Sequence, residues 1–148
     1  MPRFGAYRYP RDWSAFADEF VWSGMDSVAY NMQWQQADNF GYLVYGIVPT
    51  VQGLKYLHLE EGNYTLSIRG MKYSFNGIMS WYLDGVMIAS GQDWYSAALV
   101  YNVVFTASLA VPRGGLHTLA CLVNDQNPAS GGYYAFLTRV FVRMAGAG

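Results

Sequence analysis

Along most of the chain apolar and polar residues alternate with period two, the signature of strands with one buried face. Tyr64-Thr65-Leu66-Ser67-Ile68-Arg69 shows it most cleanly, after a turn at Glu60-Glu61-Gly62-Asn63. Met79, Trp81 and Leu83 alternate with Ser80, Tyr82 and Asp84, and Asp84-Gly85 then divides this run from Val86-Met87-Ile88. An Asp-Gly pair between two apolar runs predicts a two-residue hairpin, whose turn positions need positive φ. Residues 99–106 and 116–123 read as further strands, separated by Pro112-Arg113-Gly114-Gly115. Residues 133–143 read as the last strand, after a loop from Asn124 to Gly132. Nearer the start, 41–48, 55–59 and Asp26 to Trp34 carry weaker strand patterns, and only 12–22 has a helical look. About eight short antiparallel strands with Gly-rich turns predict an all-β jelly-roll β-sandwich. Residues 1–15 break the pattern with two prolines, a glycine and three arginines. They predict an extended N-terminal arm ahead of a single domain at 16–148.

Composition adds a surface to this fold. Charged residues make up 13% of the 148 and aromatics 18%, against about 25% charged in average domains. The exterior is therefore rich in Tyr, Asn, Gln, Ser, Thr and Gly. Such a surface desolvates at low cost and suits subunit contacts or stacking on sugars. Net charge is −1. Apart from Arg3, Arg8 and Arg11, the six other basic residues are scattered in sequence, which argues against nucleic acid as a partner. Cys121 is the one cysteine, in the apolar run Leu119-Ala120-Cys121-Leu122-Val123, and reads as a small core residue. No apolar run is long enough to span a membrane, and no secretory leader is evident, so the expected place of synthesis is a cytoplasm.

Candidate chemistry is sparse. His58 and His117 are the two histidines, and no nucleophile turn accompanies either, so no catalytic residue is assigned and the protein is expected not to be an enzyme. Two histidines and one cysteine make no zinc set. Asn124-Asp125-Gln126-Asn127 offers oxygen donors for calcium, but such a run is more simply a turn. No metal and no cofactor are assigned. Trp94 and Tyr95 beside Asp93, and Tyr133 and Tyr134 after a glycine loop, are the candidate ligand-binding residues. Their rings would stack on a sugar while Asp93 and Gln92 bond its hydroxyls. The competing reading has these rings plug the ends of the sandwich or fill a subunit contact.

From Gly62 to Arg143 the chain resembles a jelly-roll domain of tailed-bacteriophage virion proteins, mainly tail fibres and related surface proteins. The resemblance is carried by Gly62-Asn63-Tyr64-Thr65-Leu66, Trp81-Tyr82-Leu83-Asp84-Gly85-Val86 and Asp93-Trp94-Tyr95-Ser96. It continues through Tyr101-Asn102-Val103-Val104-Phe105, Gly115-Leu116-His117-Thr118-Leu119 and Asn127-Pro128-Ala129-Ser130-Gly131-Gly132-Tyr133-Tyr134. It implies a jelly roll, often trimeric, on the outside of a virion, and it favours the packing role for the loop rings. The resulting expectation is a non-enzymatic virion surface protein, a capsid decoration or small fibre subunit, assembling as a homotrimer with other virion proteins. Its docking element would be the arm, with Arg3, Phe4, Tyr7, Arg8, Tyr9, Arg11 and Trp13. The alternative expectation is a receptor- or carbohydrate-binding module that engages a host surface glycan.

Overall fold

The structure, a computed structural model, describes residues 12–31 and 41–145. Its strands are β1 Asp12–Phe16, β2 Val21–Ser23, β3 Ser27–Asn31, β4 Gly41–Tyr45, β5 Val51–Leu59 and β6 Gly62–Lys72. They continue as β7 Ile78–Leu83, β8 Val86–Asp93, β9 Val100–Val111, β10 Gly115–Asp125 and β11 Ala135–Met144. One sheet has the order β3-β4-β11-β6-β9, with β1 also paired to β11, and the other runs β2-β5-β10-β7-β8. All of these pairings are antiparallel. The expected jelly-roll sandwich is therefore observed, with eleven strands among the described residues where the sequence suggested about eight.

Period-two burial builds the core between the sheets. Tyr64, Leu66 and Ile68 of β6 and Val140 and Val142 of β11 face Met79 and Trp81 of β7 and Leu119, Cys121 and Val123 of β10. Cys121 is fully buried beside Met79, as a small core residue, and burial pushes its thiol well above the usual range. The expected hairpin is present: Asp84 and Gly85 take φ of 51° and 81° between β7 and β8.

Several expectations are corrected. Residues 12–22 are not helical; they form β1, one 3-10 turn at Ala17–Glu19 and β2. Their buried residues are Ala15, Ala17, Phe20 and Trp22, two pairs at strand spacing around the turn. The last portion of the expected arm is thus sheet: Asp12 to Phe16 pair with Arg143 to Arg139 of β11. Trp13 packs half-buried against Phe20, ring centroids 6.4 Å apart, instead of reaching outward. The other arm residues, Arg3, Phe4, Tyr7, Arg8, Tyr9 and Arg11, lie outside the described residues. β5 begins at Val51 and not at residue 55, because Gly53 leaves room for the Trp22 ring in the neighbouring strand.

One irregularity shapes the six-stranded sheet. Leu137 pairs with Gly70 and Arg139 with Arg69, so Thr138 is an extra residue in β11. A bulge of this kind shifts which residues face outward. Beyond it Arg139, Phe141 and Arg143 alternate with buried Val140 and Val142; before it Phe136 points to the outer side. There Phe136, Leu43 and Met71 form a small second cluster, roofed by Tyr45, Tyr73, Leu99 and Tyr134. Gly70 permits the bulge, since a Cβ there would come within 2.6 Å of the Phe136 carbonyl oxygen.

Candidate functional site

The loop residues singled out in the sequence do meet at one end of the sandwich, but as elements of its closure. Asp93 accepts hydrogen bonds from the Tyr95 N–H at 3.0 Å and from Asn127 Nδ2 at 2.9 Å. Gln92 is buried, and its Oε1 accepts from the Trp81 indole at 3.1 Å. Trp94 is 0% exposed and packs edge-on against Phe105, ring centroids 4.7 Å apart. A ring with no exposed face cannot stack on a ligand, so Trp94 is corrected from candidate contact to core. Tyr134 stacks on Phe75 and meets Tyr45 edge-on, at 5.4 and 5.1 Å. Burial, with the neighbouring Tyr45 and Tyr73 phenols and Asp26, pushes its hydroxyl above the usual tyrosine range. Tyr95 and Tyr133 are half-buried, and the Tyr133 N–H donates to the Gly46 carbonyl. These tyrosines are chiefly packing elements. The Asn124–Asn127 run behaves as a turn: Asp125 accepts from the Gln126 N–H and Asn127 from the Ala129 N–H. No group of three metal-ligating acids, histidines or cysteines forms among the described residues.

The chain's two histidines are far apart in role. His58 is exposed on β5. His117 is 3% exposed, its Nδ1 lying 2.6 Å from Asp84 Oδ2 and its Nε2 2.9 Å from the Arg113 carbonyl. Both ring nitrogens are thus engaged by protein groups. The pair ties the β7–β8 turn to β10, helped by the Thr118 N–H donating to Asp84 Oδ1. Burial works to raise the Asp84 pKa, but the His117 and Thr118 hydrogen bonds and the charges of His117 and Arg113 hold it below the usual carboxylate value.

A different surface gathers several cationic and hydroxyl side chains: the outer face of the six-stranded sheet. Register lines up three rows across β1, β11, β6 and β9. They are Asp12–Arg143–Thr65–Ser108, Ser14–Phe141–Ser67–Thr106 and Phe16–Arg139–Arg69–Val104. Phe141 stands at the centre, half-exposed. The guanidinium carbons of Arg139, Arg143 and Arg69 lie 4.8, 5.2 and 5.6 Å from its ring centroid. Arg139 also lies over Phe16 at 4.8 Å and donates from Nη2 to Ser14 Oγ at 3.0 Å. Among the described residues no carboxylate lies within ion-pair distance of these arginines, the Asp84–His117 contact being the ion pair there. A recess of about 250 Å³ is lined by Ser67, Arg69, Val104, Phe141 and Arg143. A second, of about 170 Å³, lies toward β1 and shares Phe141 and Arg143 with it. Basic residues that look scattered in sequence are thus brought together by register. The within-strand signal, Arg139-x-Phe141-x-Arg143, was available; the addition of Arg69 was not.

Neither a protein-family model nor a curated protein matches this chain. Solved structures do. A Paenibacillus xanthan lyase aligns over 93% of this chain at TM-score 0.75 and 18% identity, and the match takes in 13% of the lyase chain. The carbohydrate binding module CBM6cm-2 of Cellvibrio mixtus lichenase 5A, solved with cellotriose, aligns over 88% of this chain and 95% of its own at TM-score 0.62 and 13% identity. A family 35 carbohydrate binding module from Clostridium thermocellum aligns over 90% and 98% at TM-score 0.61 and 11% identity. At these identities the likeness establishes the β-sandwich fold.

Proposed function

We propose that this chain is a non-catalytic carbohydrate-binding module whose ligand surface is the outer face of the six-stranded sheet around Phe141. The observation that carries this reading is the ring of Phe141 between two recesses, bordered by arginine and serine side chains. An apolar ring with a few convergent hydrogen-bonding groups is the usual make-up of a small-ligand surface. The architectures of the similar structures support it, since among them are modules solved with cellotriose and with xylotriose. A glycan array probed with the full chain tests it. Signal on a defined group of glycans is expected, and Phe141→Ala should remove it without lowering thermal stability, because the ring is outside the core. An array without signal overturns the reading; signal kept in Phe141→Ala overturns the location.

A second reading, a bacteriophage surface component working as a homotrimer, draws on the other sheet. Its outward row Val21–Leu54–Ala120–Tyr82 is uncharged; Val21 within it, and Tyr56 and Leu116 further along the same strands as Leu54 and Ala120, are 72, 64 and 57% exposed. Contiguous exposed apolar residues mark interaction surfaces. Light scattering across the micromolar range tests this: a mass three times the chain's supports it, and a monomer throughout removes it.

A further inference from the structure

We infer that the arginine face takes an anionic glycan, one whose sugars carry carboxylate or sulfate groups. This rests on the carbohydrate-binding reading above and names the ligand class for that surface. Three guanidiniums on two adjacent strands are like charges side by side, an arrangement that destabilises a sheet. The chain carries few charges and a net charge of −1, so a cationic cluster is no by-product of composition. Among the described residues no carboxylate lies within ion-pair distance of it. Asp12, opposite Arg143, borders only the second recess, so the larger recess beside Arg69 and Arg143 is the cationic one.

Neutral sugars offer hydroxyls, which amides and hydroxyls bind without gathering cations. A carboxylate or sulfate instead accepts two parallel N–H bonds from one guanidinium fork, a stronger and more directional contact. Phe141 prepares that contact. A guanidinium resting on a ring keeps its plane oriented while its edge donors stay available. Arg139 shows the orienting effect, held over Phe16 and Phe141 with Nη2 bonded to Ser14, while Arg69 and Arg143 are the two that line the larger recess. The recesses on either side of Phe141 and Arg143 run across the strands from β1 to β9, a track for an extended chain whose acidic group would sit in the recess between Arg69 and Arg143, away from Asp12.

The test uses affinity electrophoresis of the full chain in two matched pairs of gels. One pair contains polygalacturonate or its methyl ester, the other dextran sulfate or uncharged dextran. Retardation at least ten-fold stronger in one charged gel than in its neutral counterpart is expected, and which pair responds distinguishes carboxylate from sulfate. Arg69→Gln and Arg143→Gln should each weaken it about ten-fold at unchanged melting temperature. Arg143→Lys, which keeps the charge but not the fork, should weaken it as well. Equal retardation by a neutral polymer, or charged binding indifferent to both glutamine variants, overturns the inference. The first of those results leaves the module reading standing. Double-stranded DNA bound as tightly as the better polysaccharide also overturns it, since the face would then be a general polyanion surface. No retardation in any gel overturns it too, and the glycan array then judges the module reading separately.

Discussion

On the outside of the five-stranded sheet, Val21, Leu54, Ala120 and Tyr82 form a row without charge; across the core, Phe16, Arg139, Arg69 and Val104 form one with two arginines. The inner faces of the same strands do not differ in this way, both being built from Leu, Ile, Val, Met and aromatics. Packing between the sheets dictates the inner positions, because a polar residue there loses water and is kept only where it finds a partner, as His117 and Gln92 do. The outer positions answer to no such demand. Exposed apolar residues on one side and, on the other, cations with no carboxylate within ion-pair distance among the described residues each cost the folded chain something. The two costs differ in kind: apolar area is relieved by any well-fitting partner, whereas a guanidinium cluster is relieved by anions.

The broadest way to break this contrast is to remove what both faces share. Trp81 is fully buried between the sheets, and Trp81→Ala should cost about 3–5 kcal/mol in guanidinium unfolding, abolishing both surfaces together. A milder substitution separates them. Gly70→Ala pushes a methyl against the Phe136 carbonyl and should cost about 1–3 kcal/mol. Because Gly70 lies at the β6–β11 junction, glycan binding should weaken while chemical-shift changes in β5 and β10 stay small.

The hairpin latch gives a pH signature that belongs to the five-stranded sheet alone. Asp84 is held below its usual carboxylate value, so its contribution is present above about pH 4 and is lost as pH falls through the lowered folded value. Asp84→Asn keeps a residue tolerant of positive φ yet removes the charge. Its melting temperature should fall less steeply below pH 4 than that of the natural chain. With the Asp84 side chain 44% exposed, solvent screening caps the effect at about 1 kcal/mol. The smallest effect on folding should come from Leu116→Lys, within about 0.5 kcal/mol. It should leave glycan binding intact and dissolve any self-association seen by light scattering, which would assign the two faces to separate tasks.

The sandwich itself was legible because the decisive information is local. Alternation at 64–69 and 79–83, and the Asp84-Gly85 turn, each lie within a few residues. The site was less so. Trp94 sits among Gly91, Gln92, Asp93 and Ser96, a polar stretch that reads as a loop, and only the fold brings Phe105 over its ring. Arg139, Phe141 and Arg143 share a face by simple parity. Arg69 and Ser14 join them through register between segments far apart in sequence, which no local pattern encodes. The Thr138 bulge is equally silent in sequence, since Phe136 and Arg139 face the same way only because of the extra residue between them.

The pairing of β1 with the end of β11 carries a mechanical consequence. Asp12 lies opposite Arg143, so the first and last strands of the described fold finish side by side. Tension applied between these two ends would pull across the strands and not along them. The β1–β11 hydrogen bonds would then break in succession, like a zip, at far lower force than strands sheared in parallel. The first row to open would be Asp12–Arg143 and the next Ser14–Phe141, so this face would lose its β1 border under load before the strands behind it separate.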